Sequence, residues 1–409
     1  MLEESDKLKN VIIVNDHSYI NGGQAKIAID TAIGLKTAGK NVIFFSACGP
    51  ADAALNQYGV ESICLNQKDI ADNQKKYQAA TRGIWNNEAA HQLLELTEKY
   101  SERDTVIHCH GFAKALSASI GPIITNGRIP HIYTMHEYFL ACPNGGFYDF
   151  QSNEICTKRA LGISCLMKNC DSRHASHKAW RVMRQGVIQS IGGLPKNLKD
   201  VIYISKTQKR VMKPYLSSKT KLHYVPNPIT LPNSMKIDAQ DNDIFLFIGR
   251  LNPEKGGALF AKAAKLAGVK AVFVGDGTDR EKIQKINPAA VITGWVQPED
   301  VSKWLEKARC LVFPSLWYET FGLVAYEAIL KNVPVIAGRW NAASEAIKHN
   351  ENGILVESKD PQEWADAFKK LDGLPNIKTT QTPAKDLSLT EYTNSILKVF
   401  QLCRKNQFT

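Results

Sequence analysis

The sequence predicts an α/β protein built from two doubly wound domains that face each other across a cleft. Three observations lead there. The chain has 409 residues, more than the roughly 250–300 at which a single hydrophobic core stops growing. Short apolar runs alternate with helical patterns, as expected of mostly parallel sheets covered on both faces. A Pro-rich passage near the middle, LHYVPNPITLP (222–232), interrupts the alternation and suits a linker.

In the first half, VIIV (11–14) is followed by the polar loop NDHSYINGG and an amphipathic helix from Gln24 to near Gly39, a β-loop-α unit. Further strands are expected at NVIFFS (41–46), DTVIHCH (104–110), HIYTM (131–135) and VIYIS (201–205), with helical stretches such as NNEAAHQLLELTEKY between them. Beyond the linker the strands IFLFIG, AVFVG, AVITG, CLVFP, PVIA and GILV alternate with short helices. The expected units are a first domain at 1–228, with a Cys-rich basic insert at about 137–195, and a second domain at 229–385. A terminal helix at 386–409 either closes the second domain or reaches back to the first.

Apolar residues make up 44% of the chain, enough for ordinary packed cores. The acidic, polar start MLEESDKLKN does not read as a signal peptide, and no apolar run approaches the roughly 18 residues of a membrane span. A cytoplasmic protein is expected, soluble or peripheral at the inner face of the cytoplasmic membrane. The net charge of +11 is concentrated: residues 151–220 hold 14 Lys/Arg against 3 Asp/Glu, while the remainder balances. Such a face attracts an anionic partner, a phospholipid surface or a phosphorylated lipid, or it is simply solvated. A nucleic-acid binder is disfavoured, because the segment lacks interleaved aromatics and zinc-finger spacing.

Open parallel sheets bind ligands beyond the carboxyl ends of their strands, which directs attention to the loops there. After IFLFIG comes Gly249-Arg250-Leu-Asn-Pro-Glu-Lys255-Gly256-Gly257, a glycine turn with two cations at a helix start, which makes an anion site fit for a diphosphate. Neither a Walker loop nor a dinucleotide fingerprint is present. After CLVFP comes YETFGLVAYE, with Glu319 just before a helix expected to start near Phe321 and Glu327 well inside it. The N–H groups of Phe321, Gly322 and Leu323 are then first-turn donors for a phosphate or sugar hydroxyl. Eight helical residues span about 12 Å, roughly the gap between a hexose and a ribose joined by a diphosphate.

In combination, GRLNPEKGG, VGDGT, TGWV and PSLWYETFGLVAYEAI resemble the donor half of a GT-B glycosyltransferase of the retaining family 4 type (glycosyl transferases group 1), marked by Glu, seven residues, Glu. VIIVNDHSYINGG, HCHG and YTMHEYF fall where that family keeps its first loop, a mid-domain strand and a cleft histidine. The resemblance implies a GT-B fold, two Rossmann-like domains, and a nucleotide-diphosphate-sugar donor. It assigns Arg250 and Lys255 to the diphosphate, Glu319 to the hydroxyls of the transferred sugar, and Glu327 to the ribose. It places Gly294, Trp295 and Val296 near the base, Gly22 and Gly23 near the phosphates, and His136 beside the sugar. It implies front-face attack without a catalytic metal, on a saccharide or polyprenyl-diphosphate-linked acceptor, in bacterial surface-polysaccharide or lipopolysaccharide synthesis. A GT-B sugar-nucleotide epimerase is the alternative within enzymes. Asp241-Asn-Asp243 mimics a metal-binding D-x-D but precedes a strand, on the wrong side of the sheet for the cleft.

Nine cysteines without a secretory signal argue against a disulfide framework. Four of them, Cys142, Cys156, Cys165 and Cys170, crowd into the insert with C-x13-C-x8-C-x4-C spacing. Four thiolates could form a tetrahedral structural zinc site, although paired C-x2-C knuckles are absent and unligated buried thiols are the other reading. The following stretch sets Trp180, Met183, Val187 and Ile191 at helical spacing with Lys178, Arg181 and Arg184 around them. It is expected either to lie basic side down on a membrane or to face the core with a wet basic side.

Overall fold

The computed structural model describes residues 8–229, 236–371 and 387–408. Thr230–Pro232 of the linker passage, and the expected boundary at 385/386, lie outside them.

The first domain carries β1 (Asn10–His17), β2 (Asn41–Cys48), β3 (Glu61–Cys64), β4 (Thr105–Cys109) and β5 (His131–Thr134). A small antiparallel pair follows, β6 (Tyr148–Asp149) and β7 (Glu154–Ile155), and then β8 (Asp200–Tyr203) and β9 (Lys221–Tyr224). Seven of these strands form one parallel sheet in the order β3-β2-β1-β4-β5-β8-β9. The second domain adds β10 (Ile244–Ile248), β11 (Lys270–Val274), β12 (Val291–Gly294), β13 (Ala308–Phe313), β14 (Val335–Gly338) and β15 (Gly353–Val356). Their order is β12-β11-β10-β13-β14-β15, again parallel. The α/β class and the two doubly wound sheets are as the sequence predicts.

Runs such as Val11–Val14 and Val42–Phe45 are apolar at every position because both sheet faces are covered. Val11, Ile13, Val42 and Phe44 pack under helices Gly23–Thr37 and Leu389–Phe408, whereas Ile12, Val14, Ile43 and Phe45 face the opposite layer with Leu93 and Leu96. The terminal helix thus belongs to the first domain's core. The Tyr392 hydroxyl meets Thr31 Oγ1 at 2.9 Å, and a Cβ on Gly34 would stand 2.2 Å from Thr393 Oγ1, so only glycine permits this approach. Between the domains, the backbone N–H groups of Lys206 and Thr207 donate to the Glu345 carboxylate at 2.9 and 2.7 Å.

In each sheet the chain reverses direction beside its first strand, between β1 and β4 and between β10 and β13. The loops leaving those strands splay apart there and open a crevice. Asp241–Asp243 lies at the other end of β10, where Asp243 pairs with Lys270.

The insert departs from expectation in its charges. Helix Ala175–Gln189 turns Lys178 and Arg184 inward, each 4% exposed, and leaves Met183 (53%) and, just past its end, Ile191 (65%) in solvent. Neither a basic membrane-facing side nor a wet basic side is what these residues form. Arg184 donates to the carbonyls of Ala113 (3.0 Å) and Pro143 (3.4 Å), with its guanidinium over the rings of Phe139 and Trp180. Arg181 pairs with buried Asp171 at 2.8 Å. A planar, weakly hydrated guanidinium is well suited to such sites, so these cations pin the insert to the domain instead of presenting charge.

Candidate active site

The crevice of the second domain brings together the loops after β10 and β13. Gly256 caps helix Gly257–Ala267 in a left-handed conformation (φ 73°), and a Cβ there would meet the Pro314 carbonyl oxygen at 2.1 Å. Leu316 N–H also donates to the Glu254 carbonyl at 2.8 Å. These contacts press the lysine loop against the segment leading to Glu319, so Lys255 Nζ reaches Glu319 Oε2 at 2.7 Å. Trp317 Nε1 (3.0 Å) and Ser315 Oγ (3.2 Å) donate to the same oxygen. Ser315 is fixed in turn by Trp340 Nε1, 2.7 Å from its carbonyl. None of the three donors to Glu319 reaches Oε1, which leaves that oxygen to accept from a ligand hydroxyl. Burial alone would raise the Glu319 pKa, but the Lys255 charge and the three hydrogen bonds outweigh it and hold the carboxyl below its ordinary value.

The helix after Glu319 begins later than expected, at Leu323 with Gly322 as its left-handed cap (φ 87°), not near Phe321. Phe321 is instead buried and stacked on Tyr326, with ring centroids 4.4 Å apart. The left-handed turn at Gly322 separates Phe321 from the helix. The first-turn amides are therefore those from Leu323 onward, and Phe321 and Gly322 form the approach. Glu327 lies one turn further along this helix. Burial raises its pKa, and Lys26 of the first domain and Lys331 partly oppose the shift.

The first domain closes over this helix start. A Cβ on Gly23 would stand 3.2 Å from Leu323 Cδ1, so the N-terminus of helix Gly23–Thr37 abuts that of helix Leu323–Leu330, with Gly22 and Gly23 exposed between them. His136 follows β5 and is almost fully buried. Its Nε2 lies 2.9 Å from His110 Nδ1, with the two rings stacked. Burial pushes the His136 pKa down to about 3, so the ring is neutral near pH 7.

Arg250 is exposed after β10, and among the described residues it is Lys255, not Arg250, that bonds Glu319. Gly294 (φ 79°) turns the chain after β12, its carbonyl accepts from Gly275 N–H, and Trp295 beyond it is exposed, free to stack. Sequence reasoning missed Ser315, Trp317, Tyr138 and the bond from His110 to His136. The pattern HCHG at a strand's carboxyl end was the available signal for His110. Nothing local marks Tyr138, whose buried hydroxyl has no partner among the described residues and whose pKa is raised by burial and by nearby Glu319 and Tyr318.

The four insert thiols are all free. Among the described residues, no group of three or more His, Cys, Asp or Glu side chains is placed to hold a metal ion, and no helix is long and apolar enough to cross a membrane.

Comparisons with known proteins bear on the fold and on the second domain. Residues 242–372 match the family described as glycosyl transferases group 1. An uncharacterized 41.2 kDa protein in the cps region of Klebsiella pneumoniae is 34% identical over 158 residues, 35% of this chain and 43% of that protein. An uncharacterized glycosyltransferase of Methanocaldococcus jannaschii is 27% identical over 275 residues, 64% of each chain. The chain thus spans 43% and 64% of the length of these two relatives. Among solved structures, the Anabaena protein HepE in complex with UDP superposes with a TM-score of 0.63 at 15% identity, covering 97% of this chain and 100% of that one. Residues 242–372 thus match the glycosyl transferases group 1 model, in a chain whose two facing Rossmann-like domains have the GT-B fold.

Proposed function

We propose that the protein is a retaining glycosyltransferase that moves a sugar from a nucleotide diphosphate to a saccharide or lipid-linked saccharide acceptor. The observation that carries this reading is the Glu319 carboxylate, ionised by Lys255 and pinned through one oxygen, at the crevice where an activated sugar would lie. Lys255 is close enough to exchange this ion pair for contacts to a donor diphosphate, and the Leu323 helix start adds dipole and amides. Positive charge fixed there stabilises the diphosphate as it leaves. Glu319 Oε1 orients the sugar by accepting from its hydroxyls. Neutral His136, held by His110, hydrogen-bonds the sugar from the opposite domain without adding charge. The departing phosphate oxygen takes the acceptor's proton in a front-face attack. Glu327, about 12 Å along its helix from Glu319, takes the ribose hydroxyls. The Klebsiella relative's place in a cps region supports a role in surface-polysaccharide assembly.

The test is incubation with UDP-, GDP- and ADP-sugars. Release of free nucleotide with one donor, lost in Glu319→Ala, is the expected outcome. Conversion of a donor to an isomer would show epimerisation instead, and silence across the panel would overturn the reading.

A further inference from the structure

The first domain holds three histidines in a row, of which sugar transfer uses only the last. His108 lies in β4, His110 just after it and His136 after β5, and none is more than 8% exposed. His108 Nε2 lies 2.7 Å from Thr134 Oγ1, and its ring centroid is 4.1 Å from that of His110. His110 Nδ1 in turn lies 2.9 Å from His136 Nε2. Burial lowers the pKa of every one of these rings and keeps them neutral. His110 and His136 therefore carry one proton each, and one of those two protons lies in the bond between them.

The far side of His110 decides whose proton it is. His110 Nε2 is closed to solvent and has no partner among the described residues. If His136 supplied the shared proton, the proton of His110 would stand on Nε2 as a buried donor without an acceptor. Orphaned buried N–H groups are rare, and an acceptor left unfilled is the more common defect. The shared proton thus belongs to His110 Nδ1, and His136 accepts it at Nε2. His136 must then carry its own proton on Nδ1. That nitrogen also has no partner among the described residues but, unlike His110 Nε2, it is not closed to solvent, so a ligand in the crevice can reach it.

We propose that His110 is a positioning residue that fixes the proton of His136 on Nδ1, so that His136 meets its ligand as a hydrogen-bond donor and not as a base. The placement of the protons stands without any reaction, whereas its consequence for the donor sugar rests on the transfer reading. A donor-only imidazole selects an oxygen with a free lone pair, so the sugar presents a hydroxyl or another oxygen there, and a protonated amine at that point is rejected. With Nδ1 protonated and Nε2 filled by His110, no lone pair of His136 is free to take the acceptor's proton. Proton removal by the departing phosphate oxygen fits that constraint.

Long-range proton–nitrogen NMR spectra of the full chain, with isotopically labelled histidine nitrogens and the His136 signals identified by their loss in His136→Gln, read the tautomer without substrate. Wild type should show His136 protonated at Nδ1 and bare at Nε2, the reverse of the form that free neutral histidine favours. His110→Leu should return His136 to the Nε2-protonated form. His110→Asn, whose amide can donate from nearly the place of the His110 Nδ1, should keep the proton on Nδ1. With the nucleotide sugar that is turned over, His110→Leu should lower kcat/KM about tenfold, the scale of one hydrogen bond, and His110→Asn should restore most of the loss. A wild-type spectrum with the His136 proton on Nε2 overturns the inference whatever the variants do. Equal losses in the Leu and Asn variants overturn the positioning role and leave His110 as packing. If no nucleotide sugar is turned over while wild type shows the Nδ1 proton, the transfer reading fails and the proton placement is upheld.

Discussion

The two domains share one architecture but use charge in opposite ways. In the second domain the cation and carboxylate that matter, Lys255 and Glu319, sit on loops after adjacent strands and remain accessible from the crevice. In the first domain three cations of helix Ala175–Gln189, Lys178, Arg181 and Arg184, fold inward, onto carbonyls, aromatic rings, a buried aspartate and thiols. Charge at a strand's carboxyl end is available for chemistry, whereas the same charge on a helix packed across a sheet's flank becomes structural. Nine of the 14 Lys/Arg in residues 151–220 nonetheless stay exposed, so the inward turn belongs to this helix and not to the whole basic segment.

The sharpest way to break this contrast is Glu319→Ala. If the carboxylate serves the ligand, turnover should fall about 10²–10³-fold, the scale of losing a preorganised electrostatic contact. Thermal unfolding should change little, because Lys255 can turn to solvent. A large loss of stability with a mild loss of rate would make Glu319 structural and erase the distinction.

Arg184→Ala tests the other side. It leaves two backbone carbonyls and two aromatic faces without their partner and should cost about 2–4 kcal/mol in denaturant unfolding. Donor binding, followed by nucleotide protection against unfolding, should survive in the folded fraction. An unchanged midpoint together with weakened binding to anionic vesicles would mean that Arg184 faces solvent after all.

Much of this was legible in the sequence, for a physical reason. Parallel strands buried on both faces read as unbroken apolar runs, and the loops after them are placed by topology alone, so Lys255 and Glu319 could be assigned to one crevice from the sequence, although their ion pair could not. The insert was not legible in this way. A helix with Lys178, Arg181 and Arg184 on one side has the same pattern whether that side meets water or a wall of carbonyls and sulfurs, and only tertiary contacts decide. The start of the Glu319 helix was misplaced because Phe321 looks like a first-turn residue until Gly322 is found in the left-handed conformation that breaks the helix before Leu323. Tyr138 was invisible because its hydroxyl acquires meaning only from Glu319, which lies far away in sequence.

The smallest expected effect separates the two glutamates themselves. Burial raises the Glu327 pKa, whereas Lys255 and its neighbours hold that of Glu319 down despite burial. Linkage turns these directions into opposite pH behaviour. The folded state binds the Glu327 proton more tightly than the unfolded state does, so stability falls as pH rises from the ordinary glutamate value through the folded one. Glu319 contributes stability above the ordinary value and loses it as pH falls through its lowered one. Glu327→Gln should therefore raise the melting temperature at pH 7, by roughly 2 °C for each 1 kcal/mol relieved, and leave it unchanged near pH 4. The same substitution should raise the donor KM roughly tenfold with little change in kcat, as expected for a lost charge-assisted bond to the ribose. Melting curves at the two pH values, with donor kinetics at neutral pH, would measure both. A lower melting temperature at pH 7, or a loss concentrated in kcat, would place Glu327 beside Glu319 at the reacting sugar instead of at the far end of the donor.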